Sequence, residues 1–396
     1  MFIFDAVLAA GLALQAAPAV PVAPPVTVPP VAAPVTAPVA APVAVPVARD
    51  VPPPPDQVMA IPEELRAAFR AQVVDVTKIP EQRVRRMVDF MFDKAGLALE
   101  YKGDATNTVA ESYRTRQVNC LSFALLAVAL AREAGLRAQG QEIDRVLAWN
   151  LVGNVVMQSL HANAVVTVKD RDLQVHDDRD FVLDIASGGL YTQDYIVHGY
   201  KVTDDRMLAA FYGNRAMELL AAGRLQESQA WLDKALAFDP EDATLWNNAG
   251  VLSLRLGDPA RAEEQFLHAA RRDSRHTSVL FNLVGLYEAR HDATRAAYWR
   301  ERANRILRRD PFYQFSLGER NAQAGNYEDA VAYYRRAISL DGRERLFHFA
   351  LARAYVKTGQ LGRAEKELDA AARLSEGAER ERFQAKLDAL HAMAAR

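Results

Sequence analysis

Cys120 is the single cysteine in 396 residues, and it stands where the polar stretch Arg114–Asn119 gives way to the apolar run Leu121–Leu136. A thiol at a helix N-terminus feels the positive end of the macrodipole, which favours the thiolate and sharpens the nucleophile. Downstream, His161 opens a segment that alternates like a strand as far as Val168, and Asp184 closes the short apolar run that starts at Phe181. A cysteine on a helix tip, a histidine on one strand and an aspartate on the next form a Cys-His-Asp set. In such a set His161 takes the thiol proton, and Asp184 fixes the imidazole tautomer and stabilises its charged form. The backbone N–H of Cys120 and a side-chain amide from Gln117 or Asn119 are the candidate oxyanion donors. Each of these residues also has a plain reading, Cys120 as a small buried apolar group and Gln117 or Asn119 as an ordinary helix-start residue.

The segment Asn119–Ala138 resembles the active-site helix of the transglutaminase-like (papain-like) superfamily, in particular a bacterial branch whose core is joined to tetratricopeptide repeats. His161-Ala162 is similar to the family's His-Ala strand. Leu183-Asp184 with the following Gly188-Gly189 is similar to its aspartate strand and glycine turn. The resemblance runs over about residues 60–200 and implies Cys120 as nucleophile, His161 as base and Asp184 as the orienting acid. Many relatives carry an aromatic residue two places after the histidine, where this chain has Asn163.

The elements that must position these residues are legible. Pro62–Phe69 and Pro80–Met91 each begin with proline and acid, as helix starts do. The cysteine helix ends near Gly135, and strands are expected over 139–146, 161–168 and 181–184. Helices against an antiparallel sheet make an α+β domain, expected over 58–205. His176 and His198 lie near Asp177, Asp178 and Asp194, but their spacing matches no metal motif and they read as exposed loop residues. Neither a metal nor another cofactor is expected.

Past residue 205 the pattern changes. Gly223, Gly257, His291, Gly325 and Gly359 recur every 34 residues, as do Ala235, Ala269, Ala303, Ala337 and Ala371. This period, with small residues at fixed places, resembles tetratricopeptide repeats: helix A, a glycine turn, then helix B. Five repeats are expected over 206–377, with His291 taking the left-handed turn position in the third, and a capping helix over 378–396. The whole chain therefore reads as an α+β papain/transglutaminase-like core followed by an all-α tetratricopeptide-repeat solenoid.

Such arrays line a concave groove with their A helices. Asn214, Asn248 and Asn282 occupy equivalent places, with Asn247 beside one of them. They suit either an extended peptide backbone or ties between helices of the stack. The stretch Arg290–Arg309 holds seven arginines with few aromatics, which fits a solvated helix face or an acidic protein better than nucleic acid. A net charge of -2 gives no overall pull toward nucleic acid or an anionic membrane.

The N-terminus points to export. The uncharged run Ala6–Leu14 is followed by small residues, as in a secretory signal over 1–19 cleaved in a periplasm-bound protein; a cytoplasmic chain with an apolar end is the alternative. An uncleaved segment would act as a membrane tether. Residues 20–57 are Pro, Ala and Val with little else, a segment expected to be a disordered, polyproline-like spacer. At about 3.1 Å per residue it reaches roughly 100 Å. A ligand for a proline-reading partner is the other use of such a segment.

Two functions follow. One is a cysteine-dependent hydrolase or acyltransferase acting on amide bonds of a peptide or protein docked by the repeats. The other is a catalytically silent, peptide-binding scaffold that uses the repeat groove.

Overall fold

A computed structural model describes residues 50–394, apart from 104–105, 153–154, 170–177, 186–188, 193–198 and 376; side chains are not described for 144–161, 169, 189–192, 377–379 and 393–394. The expected signal segment, the spacer up to residue 49, His176 and His198 lie outside the described residues.

The N-terminal part opens with α1 (Pro55–Val58), α2 (Glu63–Phe69, running into a π-helical turn at Arg70–Val74) and α3 (Pro80–Phe92). Then come β1 (Glu100–Tyr101), α4 (Val109–Thr115), β2 (Gln117–Val118) and α5 (Cys120–Glu133). β1 and β2 pair in parallel, Tyr101 facing Val118. Thr108 and Glu111 form a capping box on α4, and Gly135, at φ 73°, stops α5. Every residue of α5 from Leu121 to Ala131 is buried, as expected of a helix that is apolar on all faces.

The sheet is antiparallel, formed by β3 (Arg137–Val152), β4 (Val155–Lys169), β5 (Asp178–Asp184), β6 (Gly189–Thr192) and β7 (Gly199–Val202) in the order β6-β5-β4-β3-β7. β3 and β4 extend well beyond the apolar windows that mark them in the sequence, because ladder pairing continues through polar residues. Ala164, Val166, Phe181 and Leu183 form the face that joins the core with α5.

The repeats follow as helix pairs: α6 (Asp204–Ala221) with α7 (Leu225–Phe238), α8 (Ala243–Arg255) with α9 (Pro259–Arg272), α10 (Thr277–Ala289) with α11 (Ala293–Leu307), α12 (Pro311–Gln323) with α13 (Tyr327–Leu340), and α14 (Arg345–Lys357) with α15 (Leu361–Arg373). The A helices from α8 onward start at 243, 277, 311 and 345, and the B helices at 225, 259, 293, 327 and 361. Both series step by 34, so the sequence period is the structural period. Gly223, Gly257, Gly325 and Gly359 hold φ between 74° and 83° at the turns, and His291 holds 57° in the third. α16 (Gly377–Ala394) closes the array and buries Phe383, Leu387 and Leu390.

Two features differ from the sequence reading. The spacer does not run free to residue 57: Asp50–Pro54 lies on the first repeat, with the Trp231 indole donating to the Asp50 carbonyl at 3.0 Å and the Tyr212 hydroxyl to that of Pro53 at 2.8 Å. Nor does the core divide at residue 205. One continuous cluster runs from Val58 to Leu307, joining the α+β part to the first three repeats, and a second holds Ala330 to Leu390. The sheet and α6 are also clamped by charge. Arg206 reaches Glu142 on β3 at 2.9 Å and Asp239 at 2.8 Å, and it pairs with Asp242. Burial works against its charge, but the surrounding carboxylates more than offset this and hold the guanidinium well above its ordinary value.

Candidate functional site

Cys120 is the first residue of α5 and is half-buried. Its position is set by Asn119, which is 5 % exposed: the Asn119 Oδ1 accepts from the Ser122 N–H at 2.8 Å, and its Nδ2 donates to Thr106 Oγ1 at 2.8 Å. Its carboxamide caps the helix, the favoured use of asparagine before a first turn. Gln117 lies in β2 opposite Glu100, half-buried, with its carbonyl accepting from the Asn107 side chain at 2.9 Å. The β1–β2 pair therefore delivers the chain directly to the cysteine.

Asp184 is the last residue of β5 and half-buried. Leu183 before it faces Ala164 on β4, and on β4's other edge the backbone of His161 is in register with Ile143. Positions 161 and 184 thus lie on adjacent strands with the same pleat parity. The His161 side chain is outside the described residues. Among the described residues no group of three or more His, Cys, Asp or Glu side chains is placed to hold a metal ion.

Tyr101, which the sequence reading missed, stands in this neighbourhood. Its phenol is pushed above its ordinary value by partial desolvation and then by the negative charges of Cys120 and Asp184, so both groups lie within electrostatic reach of it. The residue is 53 % exposed. The local signal for it is only the alternation Leu97, Leu99, Tyr101, with the two leucines buried. Asn163, which stands where relatives of the resembled family carry an aromatic, is 1 % exposed, and among the described residues its Oδ1 has no hydrogen-bond partner.

The second candidate site is the concave face of the array. α10 buries ten of its thirteen residues and packs against β4, so the α+β part covers the A helix of the third repeat in part. Asn282 donates to Asn247 at 2.8 Å, and Asn247 is 4 % exposed. These two asparagines tie α10 to α8. Asn248 is half-buried and Asn214 exposed. α12 is the contrast: only Gln314 and Gly318 are buried. Phe312 and Phe315 on α12 are half-buried, as is Phe349 on α14, and Leu346 is 45 % exposed. Each of the two pairs 312/346 and 315/349 is separated by one 34-residue step. The arginine-rich stretch is largely neutralised locally, Arg290 and Arg295 by Glu263, Arg300 by Glu288 and Arg308 by Glu301.

Tetratricopeptide-repeat family models match residues 214–276 and 321–387, both outside the α+β part. A curated relative, trafficking protein particle complex subunit 12 of Mus musculus, is 27% identical; the match covers 48% of this chain and spans 27% of that protein's length. Similar solved structures include YrrB, a TPR protein with an unusual peptide-binding site (22% identity, 42% of this chain and 86% of that one, TM-score 0.24). Pseudomonas aeruginosa pilF (19%, 48% and 86%, 0.26) and yeast Tom70 (17%, 47% and 40%, 0.29) are others. With the helix starts stepping by 34 and the glycine turns in place, the chain from about residue 204 onward is a tetratricopeptide-repeat solenoid, a module that binds peptides or proteins.

Proposed function

We propose that this protein is a scaffold that binds a peptide or protein partner, and that the docking surface is the part of the concave face left open, along α12 and α14. The observation that carries this reading is the contrast between α10, which packs against β4 and buries ten of its thirteen residues, and α12, which buries two. A partner matched to this surface brings an apolar side chain to the exposed Leu346 and the half-buried Phe312, and acidic ones to the exposed Arg320 and Lys357. The test is selection of displayed peptides on the whole protein, followed by titration against Leu346→Glu. A loss of at least tenfold in affinity is expected; peptides indifferent to this substitution would place the docking surface elsewhere.

A second reading is favoured by Tyr101, whose phenol senses Cys120 and Asp184 together. In it, Cys120 is the nucleophile, His161 its base, Asp184 the orienting acid and Tyr101 a donor to the developing oxyanion. Attack on an amide carbonyl expels the amine, which takes the proton from His161. The resulting thioester is resolved by water or by a second amine. The apolar run Ala6–Leu14 supports an exported setting for either reading. No described helix is long and apolar enough to cross a membrane.

A further inference from the structure

The segment Asp50–Pro54 is bound in the manner of a ligand. Asp50 and Pro53 are three residues apart, one turn of a polyproline II helix, so in that conformation their carbonyls project to the same side. Pro54, at φ -64° and ψ 153°, has that conformation. The Asp50 carbonyl accepts from the Trp231 indole at 3.0 Å, and the Pro53 carbonyl accepts from the Tyr212 hydroxyl at 2.8 Å and from Lys234 Nζ at 2.6 Å. Burial and the nearby Asp56 push the Tyr212 phenol up to about 12, so it remains a donor at neutral pH. Tyr212 stacks on Phe238 at 5.7 Å and lies 5.8 Å from Trp231, an aromatic wall of the kind that accepts proline rings.

The charged end is read as well. The Asp50 carboxylate meets Arg215 at 2.9 Å and Arg224 at 3.9 Å, and its backbone N–H donates to Glu227 at 2.9 Å. Between Asp5 and Asp50 the chain has no other acid, so Asp50 is the one residue that distinguishes this register from the repetitive Pro/Ala/Val sequence before it. Val51 is 72 % exposed and contributes no comparable anchor.

We infer that the surface of α6 and α7 is a polyproline-reading site for segments of the form Asp-X-Pro-Pro, whose resident ligand is the chain's own Asp50–Pro54, and that a peptide of the same chemistry exchanges with it. The site is separate from the α12–α14 surface and independent of its function. The test uses the full chain and a fluorescein-labelled peptide of residues 49–57. Asp50→Lys, which turns the anchor against Arg215 and Arg224, is expected to release the resident segment and to bind the peptide at least tenfold more tightly than the unmodified chain. Adding Arg215→Ala to the released chain, or Asn for Asp in the peptide, is expected to reverse that gain. If the released chain binds no better than the unmodified one, or if binding ignores Arg215→Ala, the segment is a structural tie and the inference fails. Should Asp50→Lys not fold, Asp50→Asn, of the same size, decides by the same titration, with an intermediate gain expected and no gain overturning the inference.

Discussion

Arg206 Nε lies 2.9 Å from Glu142 Oε1, so the first A helix of the repeats is joined by a part-buried ion pair to the central region of the sheet. The same guanidinium serves Asp239 and Asp242 at the turn into the second repeat. Removing it leaves three carboxylates facing one another with little water. Arg206→Met is expected to lower stability by about 3 kcal/mol, the cost of stranding partners of a buried charge. Denaturant unfolding of the whole chain checks this, and a change below about 0.5 kcal/mol would show that the clamp is dispensable.

In the fifth repeat, His348 Nδ1 donates to Glu367 at 2.6 Å and Nε2 to the Gly342 carbonyl at 3.1 Å. With Glu367 ionised both partners are acceptors, so the doubly protonated imidazole is the form that satisfies both contacts. The hydrogen bond to Glu367 chiefly raises the imidazole's pKa; burial and Arg373 act against it. A raised folded-state value means the stabilisation is complete below the unfolded value of about 6.5 and is lost as pH rises through the folded value. Protection of the α14 and α15 amides, taken relative to their base-catalysed intrinsic exchange rates, should therefore fall toward alkaline pH, and Glu367→Gln should flatten that dependence. His276 has the opposite sign: burial lowers its pKa, so its contribution is lost as pH falls. It occupies the N-cap position of α10, at the junction of the second and third repeats, which is why a local readout is required.

A glycine pair separates two reasons for having no side chain. At Gly250 an added Cβ would collide with the Phe266 ring. Gly250→Ala is thus expected to cost about 1–3 kcal/mol through overpacking, despite alanine's higher helix propensity. At position 291 the need is conformational: His291 holds φ 57° where the other repeats have glycine. His291→Gly is expected to stabilise by about 1 kcal/mol. Thermal melts of both variants check the two signs.

Cys120 tests the second functional reading. If the thiol is activated by its place at the start of α5, iodoacetamide should modify the folded protein at neutral pH, with an apparent midpoint below about 8.5. His161→Ala should slow the reaction, and Tyr101→Phe should change turnover on an amide substrate more than alkylation. A thiol that reacts only after unfolding would remove the catalytic reading and leave the scaffold.

The sequence by itself determined the local elements and their repetition. Proline and acid mark the starts of α2 and α3, the apolar run marks α5, and the 34-residue step marks the helix turns as far as the left-handed His291. These depend on backbone preferences and short-range packing, which a linear pattern records directly. The tertiary structure decided which surfaces remain available. Asn247 and Asn282 read equally well as groove or stack residues in the sequence; their mutual hydrogen bond, which ties α10 to α8, appears only in the packed array. Asp50–Pro54 reads as spacer until Trp231, Tyr212 and Arg215, over 150 residues away, converge on it. Tyr101 has no motif, and only the β1–β2 pairing brings it beside the segment that leads to Cys120. In each case the deciding term is a contact between distant residues, whose partner no local periodicity specifies.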